Sequence, residues 1–119
     1  MILITDYQQY YAFLDEFMNA VHAKFPKCLI QFEDFSNNHT FPLLKKYRHK
    51  MLCFNDDIQG TGAVAAAGFA NAVKLNGVPM AEQKVVFFVA GATGVSVADS
   101  IARMMTDYGL THEQAMDRF

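Results

Sequence analysis

Two pairs of acidic residues each follow a short apolar run of the sequence. Glu33 and Asp34 come directly after the run CLIQF, and Asp56 and Asp57 come one residue after the run MLCF. Each run is typical of a buried β-strand, and the carboxyl ends of parallel strands lie along one edge of an open α/β sheet. Carboxylates at two neighbouring strand ends can therefore converge in space. Because hard divalent cations prefer oxygen ligands, the pattern predicts a metal site at this edge.

A plain structural role is the alternative, since acidic residues often follow strands as solvated loop residues or helix N-caps. One acidic pair alone would favour that interpretation. Two pairs after consecutive strands, with Phe32, Phe35 and Phe54 as neighbours, favour a site. Carboxylates among aromatic side chains repel one another unless a cation or a hydrogen-bond donor compensates them.

The composition is that of a folded domain and excludes several classes of function. The chain has 119 residues, of which 52% are hydrophobic and 13% aromatic, as expected of one packed domain. The formal net charge of −2 is spread along the chain and leaves no basic stripe, so we expect no nucleic-acid partner. No apolar stretch approaches the ~20 residues of a membrane span, so we expect no membrane partner. Residues 1–6 resemble neither a signal nor a transit peptide.

The cysteines and histidines show no metal-binding spacing. Cys28 and Cys53 each lie in a predicted buried strand, and we expect both to be reduced core thiols. The basic cluster at residues 45–50 is expected to be a solvated face at the end of a helix, where cations suit the helix dipole. The histidines are scattered and are expected on the surface: His22, His39, His49 and His112.

Hydrophobic periodicity and turn signals predict an α/β chain with an open, mostly parallel sheet and flanking helices. Apolar residues at helical spacing between Asp6 and Pro26 predict a first helix whose aromatic stripe packs in the core. The helix predicted over residues 60–73 is built from small residues. We therefore expect it between two other layers or at a domain junction rather than facing water. The predicted strands are residues 28–32, 51–54 and 84–89, and the later helices run from the turn at residues 35–38 to about Lys50, over residues 60–73, and from Ala98 onward.

A glycine turn follows the last predicted strand. Strand, glycine turn and helix form the unit that cradles the pyrophosphate of a dinucleotide, because the helix N-terminus presents free N–H groups and glycines allow close approach. Gly91 and Gly94 fit two positions of a GxGxxG fingerprint, whereas Val89 stands at the first. From glycine spacing alone, cofactor binding and a plain βα turn remain equal alternatives.

Three strings together resemble the core signature of malic enzymes: LIQFEDF at residues 29–35, KYR at residues 46–48 and, most specifically, FNDDIQGT at residues 54–61. The resemblance runs from about Gln8 to the end of the chain. It implies an enzyme that oxidises L-malate with NAD⁺ or NADP⁺ and decarboxylates the product to pyruvate, using Mg²⁺ or Mn²⁺. It also implies a Rossmann-like NAD(P)-binding domain, a homo-oligomeric full-length relative, and a cytoplasmic or mitochondrial location.

The resemblance also assigns roles to single residues. Glu33, Asp34 and Asp57 match the metal ligands of the family. Asp56 matches a neighbouring acidic residue of the same site and is the candidate catalytic residue of this chain. Val89 and Ser96 depart from the family's glycine pattern. The candidate cofactor-binding residues match positions near the nucleotide or in the glycine turn: Asn37, Thr61, Gly91, Ala92 and Gly94.

Malic enzymes are several times longer than this chain, so we expect it to be an internal fragment. Residues 1–58 would be the C-terminal part of the malate- and metal-binding domain, and residues 59–119 the linking helix and the first βα unit of the NAD(P)-binding domain. The family's catalytic tyrosine and lysine lie upstream of the matched residues, and the isolated chain is therefore expected to be inactive. Two alternatives stay open: a non-catalytic remnant that pairs with another chain, and a small reductase that uses the GATG turn at residues 91–94.

Overall fold

A computed structural model of the chain describes residues 6–88 and 91–119. Its strands are Ile30–Phe32 (β1) and Cys53–Asn55 (β2), and a π-helical turn at Asp56–Gly60, named the π turn below, joins β2 to the third helix. Its helices are Tyr7–Lys24 (α1), Asn37–Tyr47 (α2), Thr61–Asn76 (α3), Ala92–Asp107 (α4) and His112–Met116 (α5), with a 3₁₀ turn at Met80–Glu82. None of these helices is long and apolar enough to span a membrane.

The two strands form a parallel sheet. Ile30 pairs with Cys53 and Phe32 with Asn55, and the N–H of Ile30 donates to the carbonyl of Leu52 at 3.0 Å. Parallel strands connected through α2 are an α/β arrangement, which confirms the predicted fold class. Both strands begin later than predicted, because the ladder between them starts only where the two backbones become neighbours.

One hydrophobic core joins α1, α2 and the sheet. Asp6 is the N-cap of α1, since its carboxylate accepts the N–H of Gln8 at 3.0 Å. The prediction that the aromatic stripe of α1 is buried is only partly right: Tyr7 and Phe17 are 56% and 51% exposed, because no described element covers that side of the helix. The buried side chains of this core are Leu14, Met18, Phe32, Leu43 and Tyr47.

A second core joins α3, α4 and α5. Gly62 permits a close approach of α3 to α4, since a Cβ at this position would lie 2.6 Å from Oγ of Ser100. The other face of α3 is open, with Val64 at 75% and Leu75 at 89% exposure. The expectation that α3 lies between two layers is therefore wrong for the described residues, in which α4 is its main packing partner. The alternative position at a domain junction stays a prediction. The buried members include Ala66, Val73, Met80, Ile101, Ala102, Met105 and Ala115.

Residues 84–88 carry no regular secondary structure, so the strand predicted at residues 84–89 is wrong over the part that the structure describes; residue 89 lies outside it. A strand requires a hydrogen-bonded ladder with a neighbour. Here one backbone bond joins the N–H of Val85 to the carbonyl of Arg118 at 2.8 Å. Phe88 is fully exposed, at 100%. The apolar run is a strand sequence without a strand partner among the described residues.

The expected exposure of four side chains is also wrong. Cys28 is exposed, because β1 begins after it, and Cys53 is half-buried rather than in the core. His39 is half-buried against α1 rather than on the surface. Lys46, expected on a solvated face, is partly buried and forms an ion pair with Asp15 at 2.6 Å.

α2 and α4 each differ clearly from the prediction at one end, and the π turn and α5 have no counterpart in the prediction. α2 ends at Tyr47 rather than near Lys50, since the backbone turns over the next residues. α4 begins at Ala92 rather than Ala98, although glycine disfavours helix, because a side chain from α2 caps its first turn. The π turn and the capped single turn of α5 have no periodicity long enough to mark them in the sequence.

Candidate functional site

The strand register brings the two acidic pairs to one edge of the sheet. Phe32, the last residue of β1, pairs with Asn55, the last residue of β2, so both pairs leave the sheet at the same level. The backbone N–H of Asp34 donates to Oδ2 of Asp57 at 3.1 Å, across 23 residues of sequence. We name Glu33, Asp34, Asp56 and Asp57 the acidic edge.

Asp34 has a left-handed backbone conformation, with φ of 57°. Few residues other than glycine adopt this region, although aspartate and asparagine tolerate it better than most. The conformation turns the chain sharply after Glu33 and aims the N–H of Asp34 at the carboxylate of Asp57. The hydrogen bond to Asp57 therefore compensates part of the backbone strain at the position where the two strand ends meet.

Like charge accumulates at the acidic edge. Partial desolvation raises the pKa of Glu33, and the nearby carboxylates of Asp57 and then Asp56 raise it further. The raised pKa of Glu33 means that the neighbouring carboxylates oppose its ionised form. A bound cation or a donor at the edge would relieve this repulsion.

The π turn that carries Asp56 and Asp57 is held by two side chains. Oδ1 of Asn55 accepts the N–H of Ile58 at 3.0 Å, and Oε1 of Gln59 accepts the N–H of Asn55 at 3.1 Å. Asn55 is completely buried. Its Nδ2 has no hydrogen-bond partner among the described residues. Both acidic residues of the second pair thus sit on a clamped backbone rather than on a free loop.

The donor set of the acidic edge fits a hard divalent cation by its chemistry, since it offers only carboxylate oxygens and concentrates negative charge. Its side chains are not already gathered into a cage. Over residues 6–88 and 91–119, no group of three His, Cys, Asp or Glu side chains stands close enough together to hold a metal ion. The N–H of Asp34 thus reaches the carboxylate of Asp57, but the carboxylates of Glu33, Asp34 and Asp57 are not closed around a common point.

The first turn of α4 receives a side chain from α2. Oδ1 of Asn37 accepts the N–H of Ala92 at 3.1 Å, which joins positions 55 residues apart. A Cβ at position 91 would make only an ordinary van der Waals contact with Asn37, 3.6 Å from its Nδ2, so this approach does not itself require glycine. Of the other two cofactor candidates, Gly94 is buried inside α4 and Thr61 is the first residue of α3, half-buried. Asn37, Gly91 and Ala92 are thus brought together.

A groove of about 520 Å³ lies between α2, the π turn, α4 and α5, and the sequence analysis did not find it. Its walls combine apolar side chains with cations, and Arg103 in it is paired with Asp99 at 2.8 Å. No local pattern could have marked the groove, because its lining comes from four elements that are distant in sequence: Phe41, Leu44, Arg48, Ile58, Gln59, Val95, Arg103, His112 and Met116 among others.

A histidine and three tyrosines form a second unpredicted cluster, between α1 and α2. The ring nitrogen Nδ1 of His39 and the hydroxyl of Tyr11 are 3.1 Å apart. The rings of Tyr7 and Tyr10 lie 5.0 and 4.5 Å from that of His39. The helical spacing of the tyrosines could have marked one side of this cluster, but not its partner on α2.

Two family models match this chain. Residues 4–48 match the model for the malic enzyme N-terminal domain, and residues 58–119 match the model for the malic enzyme NAD binding domain. The first match covers Glu33 and Asp34 of the acidic edge, and the second covers the first turn of α4. Asp56 and Asp57 lie between the two matches, in residues 49–57.

Several proteins are similar over nearly the whole chain. An NADP-dependent malic enzyme of Dictyostelium discoideum is 49% identical over 111 residues, which are 93% of this chain and 20% of that protein. An NAD-dependent malic enzyme of Cronobacter sakazakii is 47% identical over 116 residues, 97% of this chain and 20% of that protein. An NAD-dependent malic enzyme of Shewanella baltica is 42% identical over 108 residues. The chain spans about a fifth of the length of these relatives.

Proposed function

Since this chain belongs to the malic enzyme family, we propose that it forms part of the active site of an enzyme that oxidises and decarboxylates L-malate to pyruvate with NAD⁺ or NADP⁺. Its acidic edge would hold Mg²⁺ or Mn²⁺, and the first turn of α4 would lie at the nucleotide. The hydrogen bond between the N–H of Asp34 and Oδ2 of Asp57 carries the proposal, because it joins the two strand ends that must meet for one ion to be shared.

Each acidic residue has a definite part in this proposal. Glu33, Asp34 and Asp57 would supply the ligand oxygens, and Asp56 would be the neighbouring acid that holds or moves a proton of the substrate. A divalent ion bound there would act as a Lewis acid that polarises the C2 oxygen of malate and stabilises negative charge as CO₂ departs. The clamped π turn and the bonded N–H of Asp34 would keep the carboxylates near their working positions.

The nucleotide would approach the first turn of α4, where Gly91, Ala92 and Gly94 leave room for a pyrophosphate. Ala92 already donates its N–H to Asn37, so a phosphate oxygen and Asn37 would compete for the same donor. Asn37 would then be free to contact the ribose or nicotinamide side of the cofactor. Thr61 would line the same space from the start of α3.

The isolated chain should have little or no activity. Among the described residues, the side-chain hydrogen bonds of tyrosine and lysine go to Asp15 and His39, and none goes to the acidic edge. Acid–base groups commonly supply several orders of magnitude of rate, and metal ligands do not replace them. Malate-dependent formation of NAD(P)H by the purified chain at ordinary enzyme concentration would contradict this part of the proposal.

Calorimetric titration with Mn²⁺ tests the metal site. The parent chain should bind one ion, and Asp57→Asn should bind much more weakly, although its amide oxygen can still accept the N–H of Asp34. Asp107→Asn is the matched control, since Asp107 is exposed at the end of α4 and should leave binding unchanged. Absence of binding by the parent, or equal binding by Asp57→Asn, would overturn the proposed site.

A second candidate function is a non-catalytic module that pairs with another chain. The exposure of Val86 at 91% and Phe88 at 100% supports it, because an unpaired apolar strand sequence is a template for strand addition. Sedimentation velocity discriminates the two. Concentration-dependent oligomers that vanish in Val86→Lys would favour the module, and a monomer at all concentrations would count against it.

A further inference from the structure

We propose that Asn55 and Gln59 are positioning residues for the acidic edge: their hydrogen bonds hold the π turn in the shape that keeps Asp56 and Asp57 facing Glu33 and Asp34. The inference rests on the proposed function, because it assigns these two side chains a part in cation binding at that edge. Neither side chain is a candidate ligand, since the oxygen of each already accepts a backbone N–H, that of Ile58 for Asn55 and that of Asn55 for Gln59.

The two bonds form a closed clamp around the second acidic pair. Oδ1 of Asn55 reaches forward to the N–H of Ile58 at 3.0 Å, and Oε1 of Gln59 reaches back to the N–H of Asn55 at 3.1 Å. Asp56 and Asp57 are the residues enclosed between these anchors. A π-helical turn is rare and holds one residue more than an α-helical turn, so it needs local bonds to persist. The clamp supplies them.

The burial of Asn55 supports a role beyond stability. Its side chain is 0% exposed, yet Nδ2 has no partner among the described residues. A buried amide donor without a partner opposes folding, and an apolar residue of similar size would avoid that cost. The cost of this unpaired donor is offset at least in part by the oxygen of the same amide, which caps the π turn beside Asp57.

The chain contains a matched control for Gln59. Gln114 in α5 makes the same kind of hydrogen bond, since its Oε1 accepts the backbone N–H of Thr111 at 2.8 Å. Both glutamine side chains are exposed. α5 packs in the second core through Ala115, and the hydrogen bonds of Gln114 stay within its own turn, on Thr111. Replacing either glutamine by methionine keeps the side-chain length and removes the oxygen acceptor.

Mn²⁺ titration by calorimetry, on samples shown to be folded by circular dichroism, compares the parent, Gln59→Met and Gln114→Met. We expect Gln59→Met to bind about 10- to 100-fold more weakly, the range typical of residues that orient metal ligands, and Gln114→Met to bind like the parent. Amide hydrogen exchange supplies a second readout: the N–H of Asn55 should exchange faster in Gln59→Met only.

The outcomes separate the two proposals. Parent binding with equal affinity in Gln59→Met would overturn the positioning role and leave the metal site standing. No binding by the parent would overturn both. If Gln59→Met does not fold, Gln59→Asn carries the same test, because it keeps an exposed amide but draws its oxygen out of reach of Asn55; unchanged affinity in that variant would refute the inference.

Discussion

Asn37, the first residue of α2, accepts the backbone N–H of Ala92, the first residue of α4, at 3.1 Å. This bond links the half of the chain that carries the acidic edge to the half that carries the glycine turn. It also gives a partner to one of the free N–H groups at the start of α4. The N-cap residue of that helix is Gly91, which has no side chain that could accept this N–H. The two parts of the proposed site are thus joined by a direct hydrogen bond, in addition to the packing of α4 against the π turn.

Asn37→Ala should lower the free energy of unfolding by about 1 kcal/mol, the usual cost of losing a helix cap. Urea unfolding followed by circular dichroism measures it. Asn38→Ala is the control, since Asn38 is the exposed neighbour on the same turn. In hydrogen exchange, the amide of Ala92 should lose protection in Asn37→Ala. Equal stability of the two variants would show that the bond contributes nothing to the fold.

Two substitutions of Asp34 can distinguish its backbone strain from its proposed role as a metal ligand. Asp34→Ala should lose about 1 to 2 kcal/mol of stability, because a Cβ without a polar group is disfavoured at φ of 57°, whereas Asp34→Gly should lose none for that reason. Both variants lack the carboxylate and should bind Mn²⁺ equally weakly. Thermal unfolding and calorimetry measure the two effects on the same samples. Parent-like affinity in Asp34→Gly would remove Asp34 from the ligand set.

Two glycines of α3 should respond oppositely to alanine. Gly68 has open space where a Cβ would lie, so Gly68→Ala should stabilise the chain by about 1 kcal/mol through helix propensity. At Gly62 the new Cβ would lie 2.6 Å from Oγ of Ser100 and 3.3 Å from the carbonyl of Ser96. Gly62→Ala should therefore give no gain or a loss. Chemical denaturation measures both, and equal stabilisation would contradict the close packing of α3 on α4.

The Asp15 network should make stability depend on acid pH. Hydrogen bonds from Lys46 and then Tyr47 lower the pKa of Asp15 below its ordinary value. A lowered folded pKa adds stability above the unfolded pKa, about 3.9, and that stability is lost as the pH falls through the folded pKa. The advantage of the parent over Asp15→Asn should therefore be constant near neutral pH and shrink below about pH 4. Urea unfolding at a series of pH values measures it, and a difference independent of pH would contradict the ion pair.

The sequence predicted the parts of this fold that depend on local pattern. The parallel neighbours β1 and β2 follow from their apolar runs, and the convergence of the acidic pairs follows from the rule for parallel strand ends. The strand predicted at residues 84–89 is wrong over residues 84–88, because a high strand propensity does not provide a neighbouring strand to pair with. The predicted burial of Cys28 is wrong for a related reason, since the hydrogen-bonded ladder between the strands starts only at Ile30.

No local sequence pattern predicts the finer geometry of the site. The π turn depends on two amide bonds of Asn55 and Gln59, and a pattern of residue types does not distinguish it from an α-helical start. The bond from Asn37 to Ala92 joins residues 55 positions apart, and only tertiary packing decides it. The sequence predicts His39 on the surface because its tyrosine partners lie on a different helix and share no local pattern with it.

Paramagnetic broadening tests the shared ion most directly. Substoichiometric Mn²⁺ added to the ¹⁵N-labelled chain broadens the amide signals nearest the bound ion. We expect the signals of Glu33 and Asp34 to broaden together with those of Asp56 and Asp57, and Asp57→Asn to abolish the effect at both strand ends. Broadening at one strand end alone, or centred on acidic residues elsewhere such as Glu82 or Glu113, would contradict a metal site at the acidic edge.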